Sequence, residues 1–282
     1  MARPHIMFIQ AQCLPWVPGL YAPGRDDVEL KLLSIDEAGT DSTCIVRYPP
    51  GWHRDAHWVS AHEEFLVLDG SIQINDRLYE KHTYGFLPAG YPRSAAQSIN
   101  GAVLLTMFYD RPETVAGAPP DGGYDSRLLV EFVNPLQMQW DPGLVDPQLA
   151  AGVAIKPLRE DPYTKEVSFL YCSPPHRVPP NMAKPQWTHP MVEELYCLEG
   201  EYVWADCGRM GPGGYAWWRE DVYHGPSGTD TGYNLFVRTV NGPLVNIFDT
   251  EPKPFTWTPE YRPQLPPELA RHARPYVHPK NY

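Results

Sequence analysis

The stretch that decides the fold is Trp187-Thr-His-Pro-Met-Val-Glu-Glu-Leu-Tyr-Cys-Leu-Glu-Gly200. His189 and Glu193 lie four residues apart in it, and in a β-strand an even separation places both side chains on the same face. The glycine that ends the stretch predicts a turn there. A second segment, which starts at Gly213, brings back His224 after a glycine-rich turn. Two histidines and one carboxylate on neighbouring strands are the ligand set of a facial triad, which suits Fe(II) and related divalent ions.

The two halves of the sequence repeat each other in the same order. The matching segments are Phe8–Gly19 with Phe132–Gly143 at an offset of 124, Val28–Leu33 with Val153–Leu158 at 125, and Glu63–Gly70 with Glu193–Gly200 at 130. The offset increases slowly along the chain, as loop insertions would cause. A repeat of such long period predicts a duplicated domain and not a solenoid.

Each half has the pattern of short β-strands. The predicted strands are Thr43–Tyr48, Phe65–Leu68, Ser71–Ile74, Ala102–Phe108, Val167–Tyr171 and Tyr233–Val240. Two of them stop at a Pro-Pro pair, and Asp69-Gly70 predicts a turn between two others. Strands of four to eight residues at regular spacing predict an all-β sandwich or barrel.

Proline and glycine mark the predicted domain boundaries. Residues 111–124 are rich in both and read as a linker, which gives an N-terminal domain over residues 1–124 and a C-terminal domain over 125–250. The proline-rich tail, residues 251–282, is predicted to run extended over the surface or over a partner subunit. Edge strands that pairing can cover make a homodimer the expected assembly.

Composition excludes several classes of partner. The 282 residues are 43% hydrophobic and carry a formal net charge of -11, without a block of lysines and arginines. Nucleic acid and anionic membrane surfaces both require a basic footprint, so neither is an expected partner. The five cysteines form no CxxC pair, and the N-terminus has no signal-peptide pattern, so we expect a cytoplasmic protein with reduced thiols.

The spacing of these residues resembles the cupin superfamily. That family has a first motif of G, five residues, HxH, three or four residues, E, six residues, G, and a second of G, five residues, PxG, two residues, H, three residues, N. The second half gives His189-x3-Glu193-x6-Gly200 and then Gly213 to His224. The phrase Glu63-Glu-Phe-Leu-Val-Leu-Asp-Gly70 is similar to ChrR-like cupins. The resemblance implies a bicupin, with two tandem β jelly rolls that arose by duplication.

The resemblance also implies where a metal would bind. His189, Glu193 and His224 would be its ligands, with Trp187 standing where the first histidine of HxH is expected. The metal would be a divalent transition ion, with Fe(II) the first choice and Mn, Ni, Zn or Cu as alternatives. The alternative without a metal is a remnant pocket, in which hydrogen bonds satisfy the histidines.

The first half departs further from the motif. Val59 replaces the second histidine and Arg93 replaces the last one, so we expect this half to have lost its metal. A non-standard second site would use His53, His57 and Glu63. Arg93 reads either as a structural ion pair or as a clamp for a substrate carboxylate.

Aromatic residues near the motif suggest a substrate pocket. Trp187, Trp217 and Trp218 would hold a ring or a planar substrate. Core filling is the better explanation for any single one of them except Trp187, which stands at a ligand position and should point into the barrel. Tyr223, next to His224, is a candidate proton donor. Glu64 and Glu194 have the opposite parity to the ligand glutamate of each half, so we expect them to face outward.

Together these features predict a metal-dependent bicupin enzyme that acts on a small organic molecule. The resemblance to cupins favours dioxygenase-type C–C cleavage, with a β-diketone, a catechol or a keto acid as candidate substrates. A non-redox isomerase, lyase or hydrolase would use the same metal. The alternative of a different class is a non-catalytic sensor or binding module, which would bind its ligand and leave it unchanged.

Overall fold

The computed structural model describes residues 3–19, 25–120, 122–146, 148–149, 152–177, 179, 182–275 and 280–282. The chain forms two compact units, one made of Met1–Arg3 and Pro15–Met138 and the other of Pro4–Leu14 and Gln139–Tyr282. The division therefore falls after residue 138 and not at the predicted residue 124. The N-terminal strand and the C-terminal tail both belong to the second unit, because both pair with its backbone.

The fold is almost entirely β, as the sequence predicts. Up to residue 116 the strands are β1 (Ile6–Gln10), β2 (Val17–Pro18), β3 (Glu29–Ile35), β4 (Ser42–Tyr48), β5 (Trp52–Arg54), β6 (His57–Val59), β7 (Glu63–Ile74), β8 (Arg77–Glu80), β9 (Tyr84–Leu87), β10 (Ala96–Ser98), β11 (Ala102–Phe108) and β12 (Thr114–Ala116). The later strands are β13 (Val130–Val133), β14 (Ala154–Glu160), β15 (Val167–Ser173), β16 (Ala183–Lys184), β17 (Trp187–Thr188), β18 (Val192–Gly200), β19 (Tyr202–Trp204), β20 (Gly208–Met210), β21 (Gly214–Trp218), β22 (Ser227–Gly228), β23 (Tyr233–Val240), β24 (Ile247–Phe248) and β25 (Lys253–Pro254).

In the part of the chain that the structure describes, helix is confined to short pieces. Three 3-10 turns cover Ala11–Cys13, Pro135–Gln137 and Pro142–Leu144, and one α-helix, α1, covers Pro267–Ala270. Within the described ranges, no helix is both long and apolar enough to cross a bilayer.

The first unit is built on one antiparallel sheet with the strand order β13-β9-β7-β11-β4-β3-β2, to which β5, β8 and β10 attach. Strand β7 runs unbroken through Asp69-Gly70, so the predicted turn there is wrong. Gly70 has a φ of 68°, and a Cβ on it would lie 2.1 Å from the carbonyl oxygen of Gly101. The glycine therefore permits a close approach of two strands and does not reverse the chain.

The second unit has a six-stranded antiparallel sheet in the order β1-β21-β18-β23-β15-β14 and a three-stranded sheet in the order β20-β19-β22. Strands β17 and β24 pair with each other, as do β16 and β25. Gly200, where β18 ends, repeats the close approach of the first unit, since its Cβ would lie 2.0 Å from the oxygen of Gly232. The apolar side chains of both faces fill the interior between the sheets.

The sequence repeat is also a repeat of contacts. The Lys31 ammonium lies 4.9 Å from the centre of the Trp16 ring, and the Lys156 ammonium lies 4.5 Å from that of Trp140. Both pairs keep the sequence offset of 124 to 125 residues. The two units thus share local packing as well as strand order.

Candidate metal centre

Three side chains of the second unit converge on one point. The Oε2 atom of Glu193 lies 3.3 Å from Nε2 of His189 and 3.5 Å from Nε2 of His224. One ligand atom from each residue lies within 4.8 Å of the other two. Among the described residues, these three form the one group of histidine, cysteine and carboxylate side chains close enough to hold an ion.

The other ring nitrogen of each histidine fixes its orientation. Nδ1 of His189 lies 2.8 Å from the carbonyl oxygen of Val245, and Nδ1 of His224 lies 3.1 Å from that of Val222. A carbonyl can only accept, so each Nδ1 carries the proton and each Nε2 keeps its lone pair. Both Nε2 atoms are buried and face Oε2 of Glu193, and neither makes a hydrogen bond to any other residue in the described part of the chain. Unpartnered imidazole nitrogens that face a carboxylate fit a divalent metal, and this backbone support is typical of metal-bound histidine.

The protonation states depend on burial and on Glu193. Burial lowers the pKa of His224 to about 4, so its ring is neutral at neutral pH. Burial is the largest influence on His189 and acts to lower its pKa, but the charge of Glu193 and the hydrogen bonds to Glu193 and to the Val245 carbonyl together outweigh it, so the pKa is raised. Burial is also the largest influence on Glu193 and acts to raise its pKa, but the charge and hydrogen bond of His189 and the charge of His224 together lower it. The carboxylate is therefore ionised, as a metal ligand must be.

Three tryptophans enclose the His224 ring. The Trp218 ring stacks on it at 4.2 Å between centroids and 8° between planes. Trp187 and Trp204 meet it edge-on at 5.2 and 5.8 Å. This enclosure holds the imidazole plane and removes water from one side of the site.

The backbone that carries the site differs from the predicted single strand. Strand β17 ends at Thr188, His189 follows it in a loop, and Glu193 lies in β18. The backbone N–H of His224 donates to Trp187 at 3.0 Å and the N–H of Trp187 donates back at 3.1 Å, which brings the two histidine segments side by side. The ligands therefore converge through an isolated bridge and not through the two-residue period of one strand.

A cavity of about 890 Å³ opens beside the three residues, within the second unit. Glu193, Trp187 and Trp218 form part of its wall, so two of the three tryptophans proposed for the pocket do line it. The rest of the wall comes from β14, β15, β18, β19 and β23 and from residues 144–146, 149 and 243–246.

Two predicted pocket residues lie elsewhere. In the pairing of β21 with β18, Trp218 lies opposite Glu193 and Trp217 lies opposite Glu194. Neighbouring side chains of a strand point to opposite faces, so Trp217 points away from the cavity that Trp218 lines. Tyr223 is 46% exposed and is not part of the cavity wall. Neither residue is placed to contact a ligand in this cavity.

The second glutamate of each pair is buried, contrary to the expectation of outward-facing carboxylates. Glu194 accepts a hydrogen bond from Tyr215 at 2.5 Å and forms a buried ion pair with Arg238. Glu64 accepts one from Tyr84 at 2.8 Å in the first unit. Glu64 and Glu194 do point to the opposite face of the strand from Glu63 and Glu193, as predicted. That face is not exposed to solvent, because aromatic side chains and neighbouring strands pack over it.

In the first unit an arginine replaces the metal ligand. Nη2 of Arg93 donates to Oε2 of Glu63 at 2.6 Å, and Nη2 of Arg25 lies 3.8 Å from Oε1. The pKa of Glu63 is lowered because the two guanidinium groups outweigh its burial. Arg93 therefore lies in a buried ion pair of the first unit and is not part of the cavity in the second.

The alternative ligand set of His53, His57 and Glu63 does not assemble. His53 is 53% exposed, with Nε2 3.8 Å from a carboxylate oxygen of Asp55. The ring of His57 donates through Nδ1 to the carbonyl of Asp55 at 2.7 Å. The Arg93 guanidinium already neutralises the Glu63 carboxylate. The prediction of a second metal site at these three residues is therefore wrong.

Three features of the site were missed from sequence. The first is Arg25, which lies near Glu63 in addition to Arg93. The second is the contact of Trp204 with His224, and the third is the hydrogen bond between Nδ1 of His189 and the Val245 carbonyl. Each belongs to a segment far from its partner along the chain, and none has a motif of its own. The repeat offset pairs His57 with Trp187 and Arg93 with His224, and could have shown that these positions are equivalent.

Comparisons with known proteins find one matching family and several similar structures. The family described as ChrR Cupin-like domain matches residues 5–110. A candidate dioxygenase of Nostoc punctiforme is similar in structure, with a TM-score of 0.74 at 22% identity over 85% of this chain and 87% of that one. A search of the curated proteins finds no match.

More distant structures share the same architecture. Oxalate decarboxylase of Bacillus subtilis matches with a TM-score of 0.53 at 12% identity, covering 88% of this chain and 79% of that one. Vicilin of hazelnut, Corylus avellana, matches with a TM-score of 0.55 at 11% identity, covering 86% and 87%. At these identities the likeness shows the fold alone, and the fold is that of the cupins, a β jelly roll.

Proposed function

We propose that the protein is a metal-dependent bicupin enzyme of the ChrR-like group, which acts on a small organic molecule in its second unit. The reaction proposed first is dioxygenase-type cleavage of a C–C bond. The observation that carries the proposal is the pair of buried Nε2 atoms, on His189 and His224, that converge on the Glu193 carboxylate and make no hydrogen bond to any other described residue.

The residues present determine how a metal would be held. His189, Glu193 and His224 would supply three ligands and leave about three positions of an octahedral ion open. A divalent metal would supply a Lewis acid for a chelating carbonyl or enolate, or a redox centre for O2. Fe(II) is the metal proposed first, and Mn(II) is the nearest alternative because the Bacillus subtilis oxalate decarboxylase has Mn(II) centres.

The surrounding side chains have distinct tasks in this proposal. The Val245 and Val222 carbonyls hold the two imidazoles in the tautomer that presents Nε2. Trp218 keeps the His224 ring in plane and keeps water off that face. Trp187 occupies the position of a further ligand, so it limits the protein ligands to three and leaves room for a substrate.

Metal content per chain, measured by inductively coupled plasma mass spectrometry on untagged protein, tests the proposal. We expect about one metal per chain, lost in both His189→Ala and His224→Ala. The matched control is His57→Ala, a buried histidine of the first unit, which should keep the metal. No metal in the wild type after reconstitution with Fe, Mn, Ni and Zn would contradict the proposal.

The identity of the metal then separates the reaction classes. A redox-active metal with O2 uptake, measured with an oxygen electrode on a β-diketone, a catechol or a keto acid, supports the dioxygenase. Turnover of such a substrate without O2 uptake would favour a lyase, isomerase or hydrolase. Binding without any turnover would indicate the non-catalytic module.

A further inference from the structure

The wall of the large cavity has few charges. Most of it is formed by apolar side chains, among them Leu158, Phe169, Leu195, Leu235, Val237 and Leu244. The volume of about 890 Å³ falls in the range that encloses a drug-sized ligand, far more than a two-carbon acid would fill. Size and polarity therefore both favour a bulky, apolar guest.

The charges that do line the cavity are mostly negative. Asp146 and Glu160 belong to the wall, Glu160 being ion-paired with Lys165 at 3.1 Å, and Glu193 marks the end where the metal is proposed. Arg159 is the single arginine or lysine among the described lining residues, and it is ion-paired with Asp161. A second carboxylate on a bound substrate would therefore meet no available cation, and burying it would be costly.

Charge accounting at the metal end leads to the same result. A divalent cation held by the Glu193 carboxylate and by two imidazoles, which must be neutral to bind a metal, would leave one net positive charge. That charge can balance one negative oxygen, such as a developing enolate, but not a dianion.

We infer that the substrate is an uncharged, largely apolar molecule, with a ring or branched chain that fills the cavity and a single chelating oxygen group directed at Glu193. This inference rests on the proposed function for the position of the chelating group. The same cavity discriminates against small dicarboxylates such as oxalate.

Binding of three probes to the metal-loaded protein at pH 7, followed by tryptophan fluorescence, tests this inference. The probes are 1-phenylbutane-1,3-dione, pentane-2,4-dione without the ring, and oxalate. We expect the phenyl compound to bind at least tenfold more tightly than pentanedione, because the ring buries apolar area, and oxalate to bind most weakly. Equal affinities, or tighter binding of oxalate, would overturn the inference.

A pair of leucine variants separates cavity contact from general destabilisation. Leu235→Ala truncates a cavity residue of β23, whereas Leu170→Ala truncates an equally buried leucine of β15 that does not line the cavity. We expect Leu235→Ala to weaken binding of the phenyl compound about fivefold, and Leu170→Ala to leave it unchanged. If Leu235→Ala does not fold, Leu244→Ala replaces it, because Leu244 also lines the cavity but is only partly buried. It too should weaken binding of the phenyl compound.

Metal analysis of the same samples distinguishes failure of the proposed substrate class from failure of the proposed metal-dependent function. A metal-loaded protein that prefers oxalate would contradict the substrate class and leave the metal site standing. A protein that holds no metal would contradict the proposed function. In that case a retained preference for the phenyl compound over pentanedione would support the apolar cavity, and loss of the preference would overturn it.

Discussion

The two units place different side chains on the same backbone. The backbone bridge between His57 and Arg93 in the first unit recurs between Trp187 and His224 in the second. In each unit this bridge stands beside a glutamate, Glu63 or Glu193, at the same offset of 130 residues. The first unit neutralises its glutamate with a guanidinium that cannot leave, whereas the second surrounds it with imidazoles that can accept an exchangeable cation.

The two units also differ in how much empty space lies beside the glutamate. The space bounded by His57, Arg93 and their neighbours in the first unit is about 10 Å³, against about 890 Å³ in the second. Arg25, Tyr48 and Trp52 fill the first, and Arg25 donates to the Tyr48 hydroxyl at 2.9 Å. Of the two similar units, one is thus packed and internally neutralised, while the other has both a candidate ligand set and room for a guest.

The largest expected effect comes from removing the charge of Glu63. Glu63→Gln leaves two buried arginines without their carboxylate and should lower the free energy of unfolding by about 3–5 kcal/mol. Glu193→Gln in metal-free protein should cost much less, since an imidazole can release its proton and a guanidinium cannot. Urea denaturation of both variants checks this, and equal losses would show that the two glutamates have the same role.

Acid should destabilise the first unit through His57. Burial, with a smaller contribution from Arg93, lowers the pKa of this histidine from 6.5 to about 4. As the pH falls from 6.5 towards 4, the unfolded chain takes up a proton that the folded chain refuses, so stability falls, by on the order of 3 kcal/mol. The lowered pKa of Glu63 adds a further loss below its ordinary value of 4.5.

Thermal unfolding of metal-free protein across this pH range measures the effect. His57→Gln should show a shallower loss of stability between pH 6.5 and 4 than the wild type. Other buried histidines, including His224, are unchanged in this variant and provide the common background. Superimposable pH profiles would mean that His57 contributes nothing to acid sensitivity.

Converting the first unit to the ligands of the second is a smaller but more specific test. Val59→His combined with Arg93→His introduces imidazoles at the positions equivalent to His189 and His224. We expect metal content to rise from about one to about two per chain, with weaker binding at the new site because Arg25 lies 3.8 Å from Glu63. Arg93→Met, which removes the guanidinium without adding a ligand, should stay at about one.

The smallest effect is expected at Tyr223. Its side chain is exposed and lies outside the cavity wall, so Tyr223→Phe should change probe binding and turnover by less than twofold. Tyr202→Phe alters a buried hydroxyl of that wall and should have the larger effect of the two. A large loss in Tyr223→Phe would restore this residue as a candidate proton donor.

The assembly stays a prediction from sequence. Light scattering coupled to size-exclusion chromatography should give the mass of two 32.0 kDa chains if the protein is a homodimer. A mass of one chain would contradict it.

The sequence by itself determined the fold class, the duplication and the candidate ligands. Strand periodicity, the paired glycines and the repeat of Glu63–Gly70 in Glu193–Gly200 are local or depend on equal spacing in the two halves. Strands such as β11 and β23 were placed at their observed bounds for the same reason. The sequence predicts a turn at Gly70 because glycine allows a positive φ, which occurs both in turns and where two strands approach closely. Only the position of the neighbouring strand distinguishes the two cases.

The tertiary structure alone decided what surrounds those ligands. The addition of β1 to the second unit, the approach of Arg25 to Glu63 and the separation of Trp217 from Trp218 all depend on which strand faces which. The cavity likewise requires residues 144–146, 149 and 243–246 to meet β14, β15 and β23. Such contacts join residues far apart in the chain through packing and charge, and short-range spacing carries no information about them.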